Sequence, residues 1–117
     1  EMVAKYGPEM LQLAKENNCN YLFEASVGGG IPIIRPMNEA LTAEKLEAIT
    51  GILNGTTNYI LTKMQNEGAN FDDVLKQAQD LGYAELHPEA DVEGFDACRK
   101  IAILSSLMVG KTVNYAP

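Results

Sequence analysis

The stretch GYAELHPEADVEGFDACRK, Gly82 to Lys100, concentrates the groups in this sequence that are able to move a proton. Glu85, Glu89, Asp91, Glu93 and Asp96 crowd beside His87, the only histidine, and the run closes on the adjacent bases Arg99 and Lys100. Asp96 and Lys100 are four residues apart, which on a helix places them on one face. A lysine among carboxylates keeps its proton, because opposite charge favours the charged form. Such an ammonium can give that proton to a carbonyl or alkoxide oxygen. One carboxylate a turn away can orient a substrate hydroxyl, and another can pair with a substrate ammonium. The same spacing also suits an ordinary solvated helix face, where an exposed ion pair is worth roughly a few tenths of a kcal/mol.

Two further stretches carry polar chemistry. In SVGGGIP, residues 26–32, the glycines let backbone approach a ligand, as phosphate-binding loops do. Gly28, Gly29 and Gly30 are contiguous and no Lys-Ser/Thr follows, so neither the Walker pattern nor GxGxxG is present. The glycines make either a plain tight turn or one that aims carbonyls at a cation or amides at a cofactor. Glu24, just before them, can supply a hard carboxylate oxygen. NGTTNY, residues 54–59, offers Thr56, Thr57 and Asn58 at a helix start, where capping explains only one hydroxyl. His87, between Leu86 and Pro88, reads as a loop residue, and nothing beside it makes it a base.

These groups need elements to hold them. Val3, Tyr6, Met10, Leu11, Leu13 and Ala14 recur at helical spacing, which predicts a helix over 3–17 that becomes regular near Gly7, with Pro8 in its first turn. CNYLFEASV, 19–27, reads as a short buried strand. The glycine turn then enters a short helix over 32–41 with Pro32 near its first turn, and 44–53 reads as a second strand. A helix over 54–68 is capped by Asn54 or Thr56 and stopped by Gly68. The pattern repeats over 70–82, with Asn70 as cap, Asp72 and Asp73 at the positive end and Gly82 as stop. After a polar loop at 83–93, an apolar helix runs to about Val109, and KTVNY, 111–115, reads as a last strand. The fold expected is α+β, a mixed sheet with helices packed on one face, in one domain spanning 1–117.

The totals narrow the function. With 117 residues, 46% of them hydrophobic, the chain has the composition of one globular domain with a modest core. A net charge of −7 argues against nucleic acid or an anionic membrane as partner, since both need a basic face. No apolar run is long enough for a membrane span, and the N-terminal residues lack a signal-peptide layout. Cys19 and Cys98 match no metal spacing, and with one histidine a conventional zinc site is not expected. Both read as reduced structural cysteines of a cytoplasmic protein. The first residue is not Met and the last segment looks cut, so a piece of a larger enzyme is expected.

Ala78, Gly82, Tyr83, Ala84, Glu85, Pro88, Asp91, Gly94, Asp96 and Lys100 together resemble the signature of homoserine dehydrogenases. FEASVGGGIPIIRP and GILNGTTNYILTKM resemble the same family's catalytic domain, in the same order, so the resemblance covers essentially the whole chain. It implies NAD- or NADP-dependent interconversion of L-aspartate 4-semialdehyde and L-homoserine, on the route to threonine, methionine and isoleucine. It implies Lys100 as the acid that protonates the carbonyl oxygen and Asp96 as the group holding that oxygen and Lys100. Glu85 would bind the substrate's amino group, with Asp91 and Thr56 in supporting substrate contacts, and Gly82 would lie against the nicotinamide cofactor. Glu24, with the carbonyls of Val27, Gly29 and Ile31, would hold a monovalent cation, usually sodium. Developing alkoxide and substrate ammonium suit one ammonium acid among carboxylates.

The family implies a homodimer formed through this substrate-binding domain, and an N-terminal Rossmann domain of which nothing is seen here, so little activity is expected of the chain alone. His87 departs from the small acidic or amide residue expected before Pro88, and Leu86 from a small residue or proline. The rival reading is a non-catalytic dimerisation or regulatory module that keeps the fold.

Overall fold

The structure, a computed structural model, describes residues 1–115. It is helical: α1 (Met2–Glu16), α2 (Ala25–Gly28), a single π turn (Pro36–Ala40), α3 (Gly55–Glu67), α4 (Phe71–Asp80), α5 (Glu89–Val92) and α6 (Phe95–Val109). The chain forms two compact units, one of Glu1–Gly51 with the segment from Cys98 onward, the other of Ile52–Ala97. Among the described residues no helix is long and apolar enough to cross a membrane.

In the first unit, α1 begins at Met2, earlier than the spacing predicts, and carries Pro8 in its interior. Proline there forfeits the bond to the Ala4 carbonyl and ordinarily pushes the preceding residue out of helical geometry, through its Cβ. The preceding residue is Gly7, which has no Cβ and is buried, so the helix passes through. The helix ends in a Schellman motif. The Cys19 N–H donates to the Ala14 carbonyl at 2.9 Å and that of Asn18 to Lys15 at 3.2 Å, with Asn18 at φ 51°. Ala14, Val27, Ile34, Met37, Ala102, Ile103 and Leu104 make this unit's core.

The second unit is built on a helical hairpin. Asn54 caps α3, accepting from the Thr57 N–H at 2.8 Å, and Gly68 at φ 65° ends it. Asn70 then caps α4, accepting from the Asp73 N–H at 2.9 Å, with Asp72 and Asp73 in the first turn where the helix dipole favours them. Gly82, at φ 76°, closes α4 with a second Schellman motif, in which the Tyr83 N–H donates to the Ala78 carbonyl at 2.8 Å. A loop this short between α3 and α4 makes them antiparallel neighbours. Tyr59 near the start of α3 accordingly meets Gln77 and Tyr83 near the end of α4. Ile60, Val74, Ala78 and Ala84 are buried; fully burying a side chain the size of Ile60 contributes about 1.5–3 kcal/mol.

The expected α+β architecture, with its mixed sheet, does not form: among the described residues there is no strand. Residues 19–23 are irregular and 25–28 are helix α2; 44–53 and 111–115 are irregular as well. Short apolar runs do not distinguish a strand from a buried helical segment. A strand also exists only when a second segment completes its ladder of backbone bonds, and none of these three acquires one. Leu22 and Ile52 remain 89% and 75% exposed, where a buried strand would have hidden them. The short helix expected over 32–41 is helical from Ile34 and widens into the π turn, whose bond runs from the Leu41 N–H to the Pro36 carbonyl at 3.1 Å.

Candidate functional site

The polar centre of the second unit is Asn54. Its side-chain Oδ1 caps α3, and its Nδ2 donates to Asp91 Oδ1 at 2.7 Å and to Asp96 Oδ2 at 2.9 Å. The Thr57 hydroxyl lies 2.9 Å from Asn54 Oδ1 and 3.0 Å from the Asp91 carbonyl, two acceptors for its one proton. Asp91 lies in α5 and Asp96 in the first turn of α6, so one amide draws two short stretches of chain to the start of α3. All of these groups are partly buried, where hydrogen bonds to charged acceptors are stronger than in water.

Of the residues the sequence singled out here, Asp91 and Asp96 come together. Thr56 turns elsewhere: its hydroxyl donates to the Tyr83 carbonyl at 2.8 Å, one residue beyond Gly82. At Gly82 the chain offers bare backbone, since an added Cβ would meet nothing within 4 Å. Glu85 sits on the exposed loop after it, its carbonyl accepting from Gln79 at 3.0 Å. Neither Glu85 nor the 91% exposed His87, whose Nδ1 is 3.8 Å from Glu89 Oε1, joins the Asn54 cluster. Lys100 follows Asp96 by four residues on α6 and is half-buried. Asn54 is the residue that sequence reasoning valued only as a cap. The available signal was that asparagine, alone among the common caps, keeps an NH2 to spare.

Glu24, in the first unit, holds a different position. Its Oε1 accepts from the Ile33 and Ile34 N–H groups at 2.6 and 2.8 Å, and its Oε2 from Arg35 N–H at 2.7 Å. The Ile33 bond above all, with those of Arg35 and Ile34 and the charge of Arg35, holds this carboxyl below its ordinary 4.5 against a smaller opposing effect of desolvation. A carboxylate has about four lone-pair sites, and one on Oε2 is left over. The carbonyls of Val27, Gly29 and Ile31 receive no hydrogen bond from any described residue. Carboxylate and carbonyl oxygens of this kind are the hard donors a cation such as sodium takes. Among the described residues no group of three or more His, Cys, Asp or Glu could hold a metal ion. Both cysteines are free and exposed. A cavity of about 300 Å³ in the first unit is lined mainly by apolar residues of α1 and α6, including Val3, Leu11, Ile103 and Leu107.

The homoserine dehydrogenase family profile matches residues 32–117. A homoserine dehydrogenase of a Synechocystis species is 55% identical over 113 residues, which cover 97% of this chain and 26% of the relative. The crystal structure of a homoserine dehydrogenase from Thiobacillus denitrificans is 50% identical with a TM-score of 0.94, over 98% of this chain and 27% of that one. A hyperthermophilic archaeal homoserine dehydrogenase in complex with NADPH is 40% identical with a TM-score of 0.88, over 94% and 34%. The chain therefore spans about a quarter of the length of the curated relative it matches.

Proposed function

The chain belongs to the homoserine dehydrogenase family, and from that premise we propose that it supplies the substrate side of the NAD(P)-dependent interconversion of L-aspartate 4-semialdehyde and L-homoserine. The observation that carries the reading is the joining of Asp91 and Asp96 by Asn54, one helical turn before Lys100. A nicotinamide cofactor, when bound, would supply the hydride. The Lys100 ammonium gives its proton to the aldehyde oxygen as negative charge develops there, and takes it back from the hydroxyl in the reverse direction. Asp96 orients the reacting oxygen and the Lys100 ammonium, and Asp91 supports it. Glu85, an exposed carboxylate, pairs with the substrate's ammonium. Gly82 presents bare backbone to the cofactor, and Thr56 fixes the turn that contains it.

Support for the cofactor comes from the NADPH complex of the archaeal relative and from the open backbone at Gly82. Glu24 with the carbonyls of Val27, Gly29 and Ile31 would hold sodium, whose fixed positive charge would fasten that turn. Two copies are expected to pair through this domain.

The deciding experiment is Lys100→Ala in the full-length protein. Loss of a general acid lowers kcat by about 10²–10⁴-fold, with NADPH binding intact. Turnover near the parent's would remove Lys100 as the acid.

A further inference from the structure

Every polar atom of the Asn54 side chain is engaged. Its oxygen serves the helix, accepting from the Thr57 N–H at 2.8 Å, while its nitrogen spends both hydrogens on acids, one on Asp91 at 2.7 Å and one on Asp96 at 2.9 Å. The two jobs are chemically separable. Serine, aspartate and asparagine cap a helix about equally well. Only asparagine among them carries two N–H donors on one atom. Two carboxylates drawn to one point repel each other, and an NH2 between them offsets that repulsion while fixing which oxygen of each faces inward. Capping alone gives no reason for asparagine over serine here; joining two acids does.

We infer that Asn54 is a positioning residue for the reaction proposed above: its amide nitrogen sets the place and orientation of the Asp96 carboxylate, with Asp91 as the second anchor. It acts through these acids and does not touch substrate. The inference rests on the reading of Asp96 and Lys100 as the proton-handling pair.

The test uses the full-length protein and compares Asn54→Ser, Asn54→Asp and Lys100→Ala with the parent. In Asn54→Ser the cap survives and the clamp is lost. Its unfolding midpoint falls, because two part-buried bonds to carboxylates are lost; assayed well below that midpoint, its KM for NADPH is unchanged while kcat falls roughly tenfold to a hundredfold, the range in which misplacing a reacting group is felt. Asn54→Asp also keeps a capping oxygen but sets a negative charge against the two acids, so its kcat falls at least as far. It carries the same test should the serine variant fold poorly. Parent-like kcat in either folded variant, with Lys100→Ala inactive, overturns the role of Asn54 and leaves the proposed reaction standing. An active Lys100→Ala overturns the acid and this inference with it. A kcat that falls only in step with the unfolding midpoint makes Asn54 a cap and nothing more.

Discussion

The Thr56 hydroxyl donates to the Tyr83 carbonyl at 2.8 Å, tying the first turn of α3 to a residue 27 places further along the chain. That carbonyl follows Gly82, so the bond holds the turn proposed to meet the cofactor. Thr56→Val removes the donor and is expected to cost about 0.5–1.5 kcal/mol in urea unfolding. It should raise the KM for NADPH, and Thr56→Ser should restore both values. Unchanged stability in the valine variant would show that the bond anchors nothing.

Gly82 and Gly68 both end helices with positive φ, 76° and 65°, and both have open space where a Cβ would stand. Alanine at either position should therefore cost about 1–2 kcal/mol, the left-handed penalty without a clash. The pair separates folding from function: only Gly82→Ala should raise the KM for NADPH. An equal rise in both variants would remove Gly82 from the cofactor surface.

Glu24 gives stability a pH dependence. Its carboxyl titrates below the ordinary 4.5 because the folded chain donates three N–H groups to it. A group depressed in this way contributes its full share above the unfolded pKa and loses it as pH falls through the folded one. The difference in unfolding midpoint between parent and Glu24→Gln should be constant from neutrality down to about pH 5 and shrink below that. A difference that grew on acidification would contradict the assignment. If sodium binds here, replacing it with a bulky organic cation should lower the parent's midpoint and leave that of Glu24→Gln unmoved.

The capping chemistry was legible in the sequence because it is local. Asn54, Asn70, Gly68 and Gly82 each satisfy backbone groups within a few residues of themselves, and the helices they bound stand where they indicate. What was not legible is what depends on distant chain. Residues 19–27, 44–53 and 111–115 have strand-like composition, but a strand is a property of two segments and these find no partner. The bonds that gather Asp91 and Asp96 span 37 and 42 residues, so spacing revealed Asp96 beside Lys100 but not Asn54 between the acids. Pro8 misled because the relief sits in its neighbour, a glycine able to stay helical before it.

Asn18 is the one non-glycine residue among those described with positive φ, at 51°. It occupies the Schellman position that glycine fills after α4. Asn18→Gly should stabilise the protein by about 0.5 kcal/mol, relief of the left-handed strain exceeding the added freedom of the unfolded chain. Thermal unfolding measures this, and a lower midpoint would mean that the asparagine side chain contributes to the cap.

Asn54 is followed by Gly55, and beyond the adjoining residues and the helix's own backbone no heavy atom lies within 4 Å of the place where a Cβ on that glycine would stand. Residue 55 carries no side chain beside its backbone nitrogen, so what keeps that nitrogen from the carbonyl carbon of the Asn54 side chain is the set of bonds that pins the amide. Asparagine is among the thermally labile residues: ring closure between those two atoms expels ammonia, and water reopens the ring to a carboxylate. The group that joins two acids would become a third acid beside them. Such a change would fall on the one atom that matters here, because the nitrogen that leaves is the one that holds Asp91 and Asp96.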